Sequence, residues 1–169
     1  GNFKTYLWVW AQFAEEHGYI IVAPSYGFGN WDRELGVTAV QATLADAVQK
    51  ANIDPNRVIL AGLSNGGFGA TRVAEQFPDA YQGVILLSPG IDGQSIDNQA
   101  YAEGWNGRSH LIITGEQDKR IPVGYVNGRS QQLQNIGVDV TLHTFPKEDH
   151  FLFYSQPDDV MHLIAEWLE

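Results

Sequence analysis

Short apolar runs alternate along this chain with longer segments of helical spacing. Residues 19–23, 58–61, 84–87 and 111–114 are rich in Ile, Val and Leu and apolar on both faces. That pattern predicts strands covered by helices on both sides, as in a parallel sheet. Residues 138–145 alternate instead: Val138, Val140 and Leu142 face one way, Asp139, Thr141 and His143 the other. This predicts a strand near the sheet edge.

Helical stripes lie between these runs. Val37, Val40, Leu44, Ala47, Val48 and Ala51 form one, and Leu7, Trp10, Phe13 and Ala14 another. A helix over 65–77 is stopped by Pro78. Val126, Leu133 and Ile136 mark a helix closed by Gly137. Val160, Ile164, Trp167 and Leu168 mark the last, with Pro157 in its first turn. Such alternation predicts one α/β domain over 1–169, a three-layer α/β/α fold around a mostly parallel sheet. Residues 90–109 are polar and rich in Gly and Asn, and read as one long irregular connection near a site.

Composition narrows the partners. The 169 residues are 44% hydrophobic and 18% charged, a globular profile. The formal net charge of -10 repels phosphate backbones, so no nucleic-acid partner is expected. No run is long and apolar enough to span a bilayer, so no membrane partner is expected. Cysteine is absent, which excludes disulfides, zinc-thiolate sites and a cysteine nucleophile. It leaves the compartment, cytoplasmic or secreted, open.

The stretch carrying chemistry is Gly62-Leu63-Ser64-Asn65-Gly66, where an apolar strand gives way to a helix. A serine hydroxyl becomes a useful nucleophile only when exposed, next to a base and facing oxyanion donors. A sharp strand-to-helix turn exposes it, and glycines two residues before and after relieve the crowding. Gly67, Gly69 and Ala70 then let the helix approach the sheet closely.

An acid and a histidine are expected to follow in that order. Asp118 lies just past a buried strand, where sites gather in open α/β sheets. His150 lies in a loop after the last strand, and an imidazole suits proton shuttling near neutral pH. Glu116, two residues from Asp118, is the rival acid; Asp149 is too close to His150 to aim at it. His17, His110, His143 and His162 read as structural or surface residues. A metal site from His143, Asp149 and His150 has no recognised ligand spacing, so no metal is expected.

The arrangement resembles the α/β-hydrolase family over essentially the whole chain. Asp54-Pro55-Asn56-Arg57-Val58 leading into Gly62-Leu63-Ser64-Asn65-Gly66-Gly67 looks like the nucleophile region of small carboxylesterases. Members resembling polyhydroxybutyrate depolymerases and feruloyl esterases are similar. Gly115-Glu116-Gln117-Asp118 with Ile121-Pro122 looks like the family's acid loop, and Asp149-His150-Phe151 like its histidine loop. The resemblance implies Ser64 as nucleophile, His150 as general base and acid, and Asp118 as the orienter of the histidine. It implies two-step ester hydrolysis through an acyl-enzyme, with no cofactor.

The family's sheet usually begins with strands upstream of the first helix read here. One of them sits between the runs at 19–23 and 58–61 and ends in a loop that gives an oxyanion donor. Gly1-Asn2 looks like the tail of that loop. An upstream segment or a second chain is therefore expected to complete the sheet; direct re-pairing of the two strands is the alternative. The backbone N–H of Asn65 is the expected first oxyanion donor, and Asn2, with Gly1 and Phe3 as alternatives, the second. Tyr26, Trp31 and Phe151 are candidate substrate-lining aromatics, with a filled loop core as the equal alternative for the first two. Of the later aromatics, Phe151 and Trp105 are weaker candidates than the residues of the 24–31 loop. The expected substrate is a small-molecule ester, small or aromatic-acid in preference to long-chain lipid. A peptidase, a thioesterase and a non-catalytic binding module on the same fold stay open.

Overall fold

The computed structural model describes residues 3–25, 31 and 33–169. Helix α1 spans Phe3–His17 and α2 spans Glu34–Lys50. Then come β1 (Ile59–Leu63), α3 (Asn65–Gln76), β2 (Gly83–Leu87), α4 (Gly93–Ile96) and α5 (Gln99–Trp105). The rest is β3 (Ser109–Gly115), α6 (Val123–Asn135), β4 (Asp139–Phe145), α7 (Leu152–Ser155) and α8 (Pro157–Leu168). The strands form one parallel sheet in the order β1-β2-β3-β4.

Strand β2 is buried at every position, and its side chains alternate between two cores. Val84 and Leu86, with Ile112 of β3, pack against Val73, Tyr101, Trp105, Val126 and Leu133 on one face. Ile85 and Leu87, with Leu111 and Ile113, pack against Trp10, Phe13, Phe153, Val160 and Ile164 on the other. Two-sided burial explains why these strands are apolar throughout. Strand β4 has one neighbour and only partial burial, which explains its alternation. Pro78 follows α3, and Gly137 turns out of α6 at φ 92°, a conformation glycine adopts without strain.

Two expectations need correction. Residues 19–25 form no strand, although 19–23 has strand composition. A strand exists only by pairing, and this segment has no ladder partner among the described residues. Ile20, Ile21 and Val22 stay 55%, 36% and 46% exposed, and among the described residues β1 has β2 as its one neighbour. Direct re-pairing of this segment with β1 is thus not observed.

The second correction concerns residues 90–109. They are not an irregular loop, because α4 and α5 occupy much of the segment. Asp92 and Asn98 cap the two helices through their side chains. Tyr101 and Trp105 are wholly buried, and the Trp105 indole N–H donates to the Ala74 carbonyl at 2.9 Å. Trp105 is core and lines no substrate site.

His110 on β3 is buried beside them, 2.7 Å from the Tyr101 hydroxyl and edge-on to Trp105. Burial lowers its pKa to about 3. The folded state therefore keeps this ring neutral while the unfolded chain takes up a proton below about pH 6.5. Stability from this residue is complete above that pH and is lost as the pH falls towards 3. Going from pH 7.5 to 5.5 is expected to cost roughly 1.4 kcal/mol through His110. Thermal melts at the two pH values, compared with those of His110→Gln, check this: the variant's pH dependence should be shallower.

Candidate active site

The candidate residues sit beyond the C-terminal ends of β1, β3 and β4, on the edge of the open parallel sheet where crevices form. Ser64 falls between β1 and α3, with φ 53° and ψ -117°. Non-glycine residues held in such regions carry about 1–3 kcal/mol of strain. The surroundings hold it there. Ser64 N–H donates to the Leu87 carbonyl at 2.9 Å, and its own carbonyl accepts from Gly67 and Gly90 N–H at 2.9 and 3.0 Å.

The glycines around it do unequal work. A Cβ on Gly62 would lie 2.5 Å from the Gly66 carbonyl oxygen. One on Gly67 would lie 2.4 Å from the Gly90 carbonyl oxygen, whereas one on Gly66 meets nothing within 4 Å. The sequence reading gave Gly66 the steric role after the serine; the structure gives it to Gly67, whose neighbour is the backbone beyond β2. Gly66→Ala is therefore expected to fold with unchanged or slightly raised stability. Gly67→Ala is expected to lose about 2 kcal/mol or more, because backbone must move. Denaturant unfolding of the two variants checks the contrast.

Asp118 follows β3 in a tight loop. Its Oδ1 accepts from the backbone N–H of Arg120 and Ile121, both at 2.8 Å. Its Oδ2 lies 2.7 Å from His150 Nδ1. The side chain is completely buried. Glu116, the rival acid, is exposed. Asp149 accepts from the Phe151 N–H at 2.8 Å and does not serve His150.

His150 is held by the segment after β4. Gln117 N–H donates to the Glu148 carbonyl, and a Cβ on Gly115 would lie 2.3 Å from that oxygen. The acid and histidine loops are thus fastened directly to one another. Leu152 and Phe153, both wholly buried, anchor the chain just beyond. His150 Nε2 then lies 2.8 Å from Ser64 Oγ.

Proton positions follow from donor rules. A carboxylate only accepts, so the neutral ring must carry its hydrogen on Nδ1. Nε2 is then an acceptor, and the Ser64 hydroxyl donates to it. The three side chains form one directed chain, hydroxyl to imidazole to carboxylate, with both distances in hydrogen-bond range.

The remaining candidates separate. Phe151 is 38% exposed and lies edge-on to the His150 ring, centroids 5.7 Å apart. Trp31 is half-buried, its backbone and Cβ against the bare Cα atoms of Gly36 and Gly69, so it helps α2 approach α3. Asn65 opens α3 directly after the serine. Asn2 and Tyr26 lie outside the described residues. Arg120 was not singled out from the sequence: its guanidinium stands 4.8 Å over the Phe151 ring, and no local pattern announces a contact between two loops.

Comparison with known proteins bears on this geometry. The family model for phospholipases and carboxylesterases matches residues 36–168, which include all four strands and every residue of the serine–histidine–aspartate chain. The chain belongs to that family. This phospholipase/carboxylesterase member is 26% identical to mouse (Mus musculus) lysophospholipase-like protein 1 over 67% of its own length and 48% of the relative's. It is 30% identical to poly(3-hydroxyalkanoate) depolymerase C of Paucimonas lemoignei over 48% of its length and 23% of the relative's. A thermostable esterase of known structure superposes with a TM-score of 0.72 at 22% identity, covering 95% of this chain and 46% of the other. At that identity the superposition establishes the α/β-hydrolase fold. The chain spans about half the length, or less, of these relatives.

Proposed function

We propose that this family member is a serine hydrolase that cleaves carboxylic esters through an acyl-enzyme. The observation carrying this reading is the directed chain from Ser64 Oγ through His150 to Asp118, at 2.8 and 2.7 Å. In the proposed cycle, Ser64 Oγ attacks the ester carbonyl and His150 Nε2 takes its proton. The Asp118 carboxylate steadies the imidazolium that forms. The tetrahedral oxyanion rests on backbone N–H groups, with that of Asn65 at the start of α3 as one donor. His150 returns the proton to the leaving alcohol, and water, deprotonated by the same ring, releases the acid.

A small ester suits the reading better than a long lipid. The segment read as a long irregular connection is α4 and α5, closed down onto the core, with Ile96, Tyr101 and Trp105 buried. A parallel assay with p-nitrophenyl acetate, peptide anilides and acyl thioesters tests the proposal. Esters should be turned over fastest. Faster turnover of the anilides or thioesters would make the protein a peptidase or thioesterase, and no turnover of any would favour the binding module.

A further inference from the structure

Beside the candidate site stands a cation with no carboxylate partner among the described residues. Arg120 is exposed and lies over Phe151, which touches the His150 ring in turn. Two ring contacts, 4.8 and 5.7 Å between centres, separate the guanidinium from the imidazole. Among the described residues no carboxylate lies within ion-pair distance of Arg120.

Among the described residues only Lys50 and Arg72 of the Lys and Arg side chains pair with a carboxylate, and of the others Arg120 is the one stacked on a ring that lies against His150. Three acids of the acid and histidine loops are bonded elsewhere. Asp118 holds His150 and two backbone N–H groups, and Asp149 caps the Phe151 N–H. Glu148 accepts from Ser155 and Gln156. An aromatic ring orients a guanidinium but leaves its charge uncompensated. A guanidinium so placed presents forked donors to an anionic oxygen pair.

We propose that Arg120 is a specificity-determining residue that selects esters carrying an anionic oxygen group, a carboxylate or its equivalent, a few bonds from the scissile carbonyl. This rests on the ester-hydrolase reading above. Phe151 packs along the apolar link between carbonyl and anion, and Arg120 meets its charged end. The bond chemistry at Ser64 is unchanged; the anion adds binding.

Two matched substrate pairs test it. Mono-p-nitrophenyl adipate against p-nitrophenyl hexanoate places the charge on the acyl side. 4-Acetoxybenzoate against phenyl acetate places it on the alcohol side. In at least one pair, the anionic-to-neutral ratio of kcat/KM should fall about fivefold in Arg120→Gln, mainly through KM, and be largely kept in Arg120→Lys. The same ratio in the unaltered protein should fall as salt is raised. An unchanged ratio in both pairs, including an equal loss on both members of each, would overturn the proposal and make Arg120 a loop clamp. Turnover of neutral esters keeps the hydrolase reading intact in that case; turnover of none removes both.

Discussion

Ser64→Ala is expected to lower ester turnover about 10⁶-fold while leaving the melting temperature nearly unchanged. The hydroxyl is the atom 2.8 Å from His150 Nε2, and no other described side chain is hydrogen-bonded at that nitrogen. Alanine keeps the Cβ, so the backbone strain at φ 53° stays as it was. Ser64→Gly should be equally inactive yet more stable, by roughly 1 kcal/mol, because glycine occupies that region without strain. Turnover and thermal melting of the two variants separate chemistry from strain. Substantial activity in either would end the nucleophile assignment.

Asp118→Asn is expected to cost about 10⁴-fold in kcat with the fold intact. The carboxamide oxygen would keep the N–H bonds from Arg120 and Ile121 now held by Oδ1. The amide NH₂ would then face His150 Nδ1 in place of Oδ2. A donor there forces the imidazole hydrogen onto Nε2, so the ring can no longer accept the Ser64 proton. Rate measurements and far-ultraviolet circular dichroism on the variant check both halves. Full activity would move the acid role elsewhere, and Glu116→Gln would be the next variant to measure.

The geometry of the candidate site was legible in the sequence because each of its residues follows a strand end. Ser64, Asp118 and His150 lie after β1, β3 and β4, and a parallel sheet brings those ends together. Burial made the central strands readable, since β2 and β3 are covered on both faces. The failures have physical causes too. Ile20, Ile21 and Val22 have strand composition, but composition does not supply a neighbour. Helices α4 and α5 are short and polar outside, so their stripe was hidden, although the caps Asp92 and Asn98 were signals within reach. Gly66 and Gly67 cannot be ranked without knowing that Pro89 and Gly90 pass over the helix start. The Arg120–Phe151 contact joins residues from two separate loops, which no periodicity reports.

The most direct measurement of the central claim is mass spectrometry of the folded protein after treatment with a fluorophosphonate. The phosphonylated site should be Ser64 alone, at one adduct per chain, with Ser64→Ala unlabelled and His150→Ala labelled far more slowly. No adduct on the folded protein, or an adduct on another serine, would contradict the claim that Ser64 is an activated nucleophile.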